Sequence, residues 1–288
     1  MRMAALLPLT LLWGCTPQED KPRALCPDMA VIEPGEFVMG VDEPGGPDDE
    51  FDGPARRVHI TQPFAVSRYE VTVGEFRRFA EETGHPANGG CQVYEADAWW
   101  FPDPSRSWRD PGFAQSDDHP VVCVSWHDTK AYIDWLNGRS GLNFRLLSEA
   151  EWEYLAATGA PPGRADDAAV SHDSANIGQE TCCGPATQGR DRWLRTAPVG
   201  SFPADRHGLH DIRGNVWEWQ EDCFHINYIG APADSRPHLT SCSDASRRMV
   251  RGGSWGDGGE LLAATYRLRA AADNAYFTLG FRLARTLP

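Results

Sequence analysis

Glycine and proline constrain the fold of this chain more than any other feature of its sequence. The chain contains 28 glycines and 22 prolines among 288 residues. Glycine admits left-handed backbone angles and proline fixes φ, so both residues concentrate in turns and interrupt regular elements. Eleven tryptophans supply large apolar anchors for irregular segments. The composition therefore argues against a helical bundle and predicts a loop-rich domain with short elements.

Three segments carry the same helix-start signal, a hydroxyl residue followed three positions later by a carboxylate. They begin at Thr72, Ser125 and Ser148, and C-terminal caps are expected at Gly84, Gly138 and Gly159. Short apolar runs predict strands at 36–39, 64–67, 144–146, 249–251 and 281–283. Few helices, short strands and long connections predict an irregular α+β domain.

The N-terminus has the features of an export signal. The apolar run Ala4 to Trp13 follows a basic start, and it is too short to span a bilayer as a helix. It ends at Leu12-Trp-Gly-Cys15, which resembles a bacterial lipobox whose cysteine is acylated. A plain secretory signal with a chance cysteine is the alternative. We expect a signal peptide over 1–14, a tether over 15–28 and one domain over 29–288.

This arrangement predicts a lipid-anchored protein of the bacterial cell envelope, in the outer membrane and facing the periplasm or the surface. The formal net charge is −14, and no run of lysine and arginine exceeds two residues. Such a charge balance argues against nucleic acid as a partner, and it leaves the lipid anchor as the expected membrane contact.

Eight motifs occur in one order along the expected domain. They are Pro34-Gly-Glu-Phe-Val-Met-Gly40, Tyr69-Glu-Val-Thr72, His119-Pro-Val-Val-Cys-Val-Ser-Trp126, Arg145-Leu-Leu-Ser-Glu-Ala-Glu-Trp-Glu-Tyr154, Ala175-Asn-Ile177, Thr196-Ala-Pro-Val199, Gly208-Leu-His-Asp-Ile-Arg-Gly-Asn-Val-Trp-Glu-Trp219 and the C-terminal block from Arg251-Gly-Gly-Ser-Trp255 to Leu279-Gly-Phe-Arg282. This series resembles the formylglycine-generating enzymes, or sulfatase-modifying factors. The resemblance implies their fold, a variant of the C-type-lectin-like fold.

The segment that carries the chemistry of that family is altered in this chain. In the family, two cysteines lie between the Gly-Gly-Ser turn and the Tyr-Arg-x-Arg strand, where they bind copper and perform the oxidation. Residues 256–265 contain no cysteine, so we expect neither a copper site nor formylglycine-generating activity. Spacing back from Tyr266 places Glu260 near the first cysteine position. Glu260 could act as a general base if it is buried, and a solvated loop carboxylate is the alternative.

The resemblance also implies two structural calcium sites. The first would use the side chains of Asn176 and Asp191 and the carbonyls of Ile177 and Trp193. The second would use the side chains of Asp211 and Glu218 and the carbonyls of Gly214 and Val216. Carboxylates, amides and backbone carbonyls are the ligands that Ca²⁺ prefers. The alternative is that the asparagines satisfy loop backbone and that Glu218 pairs with an arginine.

Eight cysteines in an exported protein predict disulfides. Cys223 and Cys242 bracket an insertion, and closing it would stabilise the fold by about 3 kcal/mol. Cys91 and Cys123 are a second candidate pair. The adjacent Cys182 and Cys183 could form a vicinal disulfide, two separate bridges or a redox pair, or one of them could bond to Cys26 and leave the other free.

Two functions remain open at this stage. One is an oxidoreductase that acts on an exported peptide or peptide-derived metabolite without the cysteine pair, with the redox metal, if any, unknown. The other is a non-catalytic, calcium-stabilised module that binds an exported protein or glycan. In both, Trp108, Trp255, Arg267 and Arg269 would supply aromatic and bidentate contacts in a substrate cleft.

Overall fold

The computed structural model describes residues 26–42, 51–86, 90–95, 99–159, 170–179, 184–243 and 246–287. The helices are α1 (Val73–Thr83), α2 (Trp126–Ser140) and α3 (Glu149–Thr158). The strands are β1 (Met29–Ile32), β2 (Gly35–Met39), β3 (Arg56–Ile60), β4 (Phe64–Ser67), β5 (Cys91–Glu95), β6 (Trp99–Asp103), β7 (Phe144–Arg145), β8 (Trp217–Cys223), β9 (Arg247–Arg251), β10 (Leu268–Ala271), β11 (Ala275–Tyr276), β12 (Leu279–Gly280) and β13 (Ala284–Thr286). The expected signal peptide and Cys15 lie outside the described residues.

The three helices begin where the sequence predicted. Thr72, Ser125 and Ser148 are N-caps, and each forms a capping box with the carboxylate three residues on. The predicted cap at Gly138 is wrong, because α2 continues to Ser140 and ends at Gly141, whose φ of 71° is the left-handed conformation. No helix in the described ranges is long and apolar enough to cross a membrane.

The strands form four small sheets. Their orders are β1-β4-β13-β7, β10-β9-β8-β12, β11-β5-β6 and β2-β3. The prediction of a strand over 281–283 is wrong, because this segment carries the chain from one sheet to another. β12 pairs with β8 just before it, and β13 pairs with β4 and β7 just after it.

An aromatic core joins the first two helices to the C-terminal segment. The Phe76 ring lies 5.2 Å from Trp108, 5.9 Å from Tyr132 and 6.5 Å from Phe281. These rings are almost fully buried, which fixes loops that lack regular hydrogen bonding. The expected anchoring of an irregular chain by aromatic side chains is therefore confirmed.

Two disulfides close loops around this core. The Cys223–Cys242 pair is confirmed, with Cα atoms 5.9 Å apart, and Cys91 is bonded to Cys123 with Cα atoms 5.3 Å apart. Cys182 and Cys183 lie outside the described residues.

The pairing of β8 with β9 sets the position of the candidate site. The two strands are antiparallel, so Glu218 near the start of β8 faces Arg251 at the end of β9. Trp217 therefore lies beside the turn that follows β9, where the Gly-Gly-Ser motif begins.

Candidate functional site

Asp257 is the chemically distinctive residue of the turn after β9. Its carboxylate accepts a hydrogen bond from Trp217 Nε1 at 2.8 Å and a second from the Ser254 hydroxyl. The turn is closed by the Asp257 backbone N–H, which donates to the Ser254 carbonyl at 3.0 Å. One carboxylate is thus held in place by two side chains from neighbouring elements.

Burial of this carboxylate changes its proton affinity. Desolvation raises the pKa of Asp257, and the hydrogen bonds from Ser254 and Trp217 offset only part of that rise. The residue still retains partial exposure. A positioned carboxylate with a raised pKa, on a residue that remains partly exposed, can accept a proton from a bound molecule.

Aromatic rings and one arginine surround the turn. Trp255 contacts Phe277 and Phe113, with ring centroids 5.1 and 6.0 Å away. The Arg195 guanidinium lies over the Trp255 ring, 4.6 Å from its centroid. The Tyr266 ring lies 6.0 Å from Trp217. The turn therefore has aromatic rings packed around it, and one cation lies over the Trp255 ring.

A second segment packs against the turn backbone. The Gly178 N–H donates to the Asp257 carbonyl at 2.6 Å, and the Gly184 N–H donates to the Gly256 carbonyl at 3.1 Å. A Cβ at Gly178 would lie 2.4 Å from the Gly256 carbonyl carbon, so this approach requires glycine. The chain between Gln179 and Gly184 carries Cys182 and Cys183, which lie outside the described residues.

Glu260 occupies a different environment from the one its proposed role requires. It lies on a 3₁₀ turn, Gly259–Leu262, and its side chain is exposed. A role as general base was expected only if Glu260 is buried, and its side chain is exposed. Asp257 was missed because spacing was counted back from Tyr266. The hydroxyl-x-x-carboxylate pattern from Ser254 to Asp257, which marked the helix starts, could have indicated it.

The four residues expected in the cleft do not share one surface. Trp108 and Trp255 are each only 3% exposed, and Trp255 is the one beside Asp257. Arg267 makes its bidentate contact inside the protein, with Glu149 oxygens at 2.6 and 3.0 Å. Arg269 lies over the rings of Phe51 and Phe224.

The residues expected to form the first calcium site do converge. Asp191 Oδ2 accepts from the Ile177 N–H at 3.1 Å, and Asp191 Oδ1 accepts from the Trp193 N–H at 3.2 Å. Asn176 Oδ1 is buried and has no partner among the described residues. An orphaned amide oxygen beside a carboxylate fits an oxygen-ligated cation, although nitrogen donors contact both Asp191 oxygens.

The second expected set fits a cation less completely. Both Glu218 oxygens are engaged, with Arg282 Nε at 2.6 Å and Trp152 Nε1 at 3.0 Å. Asp211 Oδ1 is buried without a partner, as is Glu70 Oε2. Burial raises the pKa of Glu70, and the charge of Asp211 raises it further. The unsatisfied carboxylate oxygens thus belong to Asp211 and to Glu70, a residue the sequence reasoning did not include.

No group of three or more histidine, cysteine, aspartate or glutamate side chains is arranged to hold a metal within the described ranges. The expected calcium ligands are mostly amides and carbonyls, so this observation concerns carboxylate-rich or histidine-rich centres. It leaves the two oxygen-rich sets as the candidates for calcium.

Short strands, three capped helices and long connecting loops make this a loop-rich α+β domain of the C-type-lectin-like class. Residues 16–287 match the family described as Sulfatase-modifying factor enzyme 1-like domain. The chain belongs to this family.

Named relatives differ in their activity. The formylglycine-generating enzyme of Bos taurus is 33% identical over 89% of this chain and 74% of the relative. The protein of Mus musculus named Inactive C-alpha-formylglycine-generating enzyme 2 is 33% identical over 98% of this chain and 94% of the relative. The solved structure of PvdO from Pseudomonas aeruginosa is 31% identical, with a TM-score of 0.73, over 91% of this chain and 95% of that one.

Proposed function

We propose that this chain is an exported, lipid-anchored oxidoreductase of the family, and that it uses Asp257 instead of a cysteine pair. The proposal rests on one observation, the buried and hydrogen-bonded Asp257 carboxylate in the segment that lacks the cysteines. The substrate is an exported peptide or a peptide-derived metabolite. Its oxidation removes two electrons and two protons, and dioxygen accepts them to give hydrogen peroxide.

The chemical role of Asp257 follows from its surroundings. The ionised carboxylate takes one of the two protons from a C–H or N–H bond of the substrate. Ser254 and Trp217 hold it in one orientation, which reduces the entropy lost on reaching the reactive geometry. The second proton leaves with the reduced oxygen.

Detection of peroxide tests this function. The full chain is incubated with an extract of envelope peptides in the presence of dioxygen, and peroxide and the loss of two hydrogens are followed. Turnover is expected in the wild type and in Glu260→Gln, and none in Asp257→Asn. Turnover that survives in Asp257→Asn would remove this residue from the mechanism.

Formylglycine formation provides the matched negative assay. A Cys-x-Pro-x-Arg peptide, copper(I), dioxygen and a reductant are supplied, and no conversion is expected because residues 256–265 carry no cysteine. Conversion at the rate of an authentic formylglycine-generating enzyme would contradict the proposal.

A second candidate is a non-catalytic module that binds an exported protein or glycan. Its support is the 33% identity, over 98% of this chain, to a relative named as inactive. Saturable binding of an envelope component without peroxide formation would favour this function. In both cases we propose Ca²⁺ as a structural ion, held by Asn176 and Asp191 in one set and by Asp211 in the other.

A further inference from the structure

Arg195 lies at the edge of the candidate site without a carboxylate partner in the described part of the chain. Its guanidinium covers the Trp255 ring, and Nη1 donates to the Leu194 carbonyl at 2.9 Å. Burial lowers the pKa of Arg195, and no carboxylate among the described residues opposes that effect. Half-buried cations are normally paired in folded proteins. In a chain with 41 acidic residues, the unpaired state of this arginine calls for an explanation.

The backbone that carries Arg195 is fixed, which excludes an adaptable surface loop. The Arg195 carbonyl accepts from Asn176 Nδ2 at 2.8 Å. Next to it, the Thr196 hydroxyl accepts from Gln115 Nε2 at 3.0 Å. The guanidinium therefore projects from a rigid segment, and a ligand would not have to order the chain on binding.

Two further polar groups near this arginine are unsatisfied. Trp255 Nε1 is buried without a hydrogen-bond partner among the described residues, and so is Gln115 Oε1. Each such group costs free energy in a packed core. Each unsatisfied buried group in a folded protein calls for an explanation, and a bound polar ligand would supply one for both groups. Trp255 Nε1 belongs to the ring beneath Arg195, and Gln115 contacts the neighbouring Thr196.

We propose that Arg195 binds a carboxylate of the substrate, with Trp255 as its platform, and thereby selects acidic peptides or peptide-derived metabolites for Asp257. This inference rests on the function proposed above. The planar guanidinium donates two parallel hydrogen bonds to a carboxylate. Because the chain as a whole carries a charge of −14, it repels anions, and an isolated cation then determines where one binds.

Three probe peptides test the proposal on the full chain by calorimetry at millimolar concentration. The first is an N-acetylated, C-amidated peptide with one internal glutamate. The second replaces that glutamate with glutamine. The third is the glutamine peptide with a free C-terminal carboxylate. At least one carboxylate peptide is expected to bind about tenfold tighter than the neutral peptide, equivalent to ~1.4 kcal/mol. The first and third distinguish a side-chain carboxylate from a chain terminus.

Variants test whether the preference for carboxylate peptides depends on Arg195. Arg195→Gln is expected to abolish this preference. Arg192→Gln, at an exposed arginine three residues earlier, is expected to retain it. Arg195→Lys keeps the charge without the planar fork and should give an intermediate ratio, which also covers the case in which the glutamine variant fails to fold. Equal binding of all three peptides to the wild type, or a full preference in Arg195→Gln, would overturn the proposal.

The binding ratio does not require turnover, so it separates this inference from the proposed function. Asp257→Asn is expected to keep the carboxylate preference while losing oxidation. A preference that depends on Arg195, in a protein that oxidises no envelope peptide, would sustain the inference and refute the oxidoreductase. Oxidation of envelope peptides with no preference for carboxylate peptides would sustain the oxidoreductase and refute the inference.

Discussion

Arg267 and Arg195 each cover an aromatic ring, but among the residues that the structure describes only Arg267 has a carboxylate partner. The Arg267 guanidinium lies 4.3 Å from the Tyr228 ring centroid and makes two hydrogen bonds to Glu149. The charge of Glu149 raises the pKa of Arg267 despite burial, whereas burial alone lowers the pKa of Arg195. The same residue type thus serves internal structure where it is paired, and we propose that it serves ligand binding at Arg195.

The paired region extends beyond Arg267. Arg251, which is fully buried, forms an ion pair with Glu153, and the Tyr228 hydroxyl donates to the same glutamate at 3.2 Å. In the turn that holds Asp257, the described side chains that donate to its carboxylate, Trp217 and Ser254, are both neutral. The buried pairs Arg251–Glu153 and Arg267–Glu149, here called the structural cluster, combine opposite charges. The candidate site instead holds its carboxylate with neutral donors.

The largest expected effect concerns the uncompensated carboxylate. Asp257→Asn keeps the shape of the side chain and removes its proton acceptor, so kcat/KM should fall by about 10²–10⁴-fold. Because the pKa of Asp257 is raised, wild-type activity should increase with pH through a midpoint above the usual range of an aspartate. The measurement is the pH profile of peroxide formation. A dead Glu260→Gln beside an active Asp257→Asn would return the role to Glu260.

The vicinal cysteines provide a further control for this assignment. The segment that carries them begins and ends against the Gly256–Asp257 backbone. The double variant Cys182→Ser with Cys183→Ser should retain activity if Asp257 is the acceptor. A folded but inactive double variant would move the chemistry to these thiols.

The next largest effect is on stability, and it tests whether Arg267 is a structural residue and Arg195 is not. Arg267→Gln leaves the buried Glu149 carboxylate without its two hydrogen bonds from Arg267 and with Arg251 Nη1 3.9 Å away, so the free energy of unfolding should fall by about 3–5 kcal/mol. Arg195→Gln removes no ion pair and should change it by only about 0.5 kcal/mol. Urea denaturation of both variants measures the difference. Similar losses in the two would mean that Arg195 is a structural residue.

The sequence predicted helix starts better than it predicted which arginine side chains are paired with a carboxylate. Helix starts depend on residues three apart, so Thr72 and Ser148 could be assigned from the sequence. Partners such as Arg267 and Glu149 lie 118 positions apart, and no local pattern indicates such a pair. The motifs identified the family and the altered turn after β9. They could not show that Arg267 is enclosed and that Arg195 is not.

Calcium should give an intermediate effect. An ion that binds the native state at 100 times its Kd stabilises the fold by about 2.7 kcal/mol, so a chelator should lower the Tm. Asp211→Asn removes a buried carboxylate that has one unsatisfied oxygen and should reduce that response. Asp273→Asn, at a residue whose side chain is 82% exposed, should leave it intact. Identical melting curves with and without chelator would show that these oxygens hold no stabilising cation.

The smallest effect tests whether the candidate site reduces the stability of the fold. A carboxyl group whose native pKa is raised binds its proton more tightly in the folded chain than in the unfolded chain. Below the ordinary aspartate pKa both states are protonated, and Asp257 contributes nothing to the pH dependence. As pH rises toward the raised native value, the unfolded chain ionises first, so stability declines across that window.

The asparagine side chain in Asp257→Asn cannot ionise. This variant should therefore lose the part of the stability decline that Asp257 causes. Urea midpoints measured from about pH 4 upward should therefore fall less steeply in the variant than in the wild type. Asp273→Asn should follow the wild-type slope, because its side chain is mostly exposed. Such a slope would mean that an uncompensated carboxylate is retained at a cost in stability, as expected of a functional group. Parallel slopes in all three proteins would place Asp257 with the compensated charges of the structural cluster.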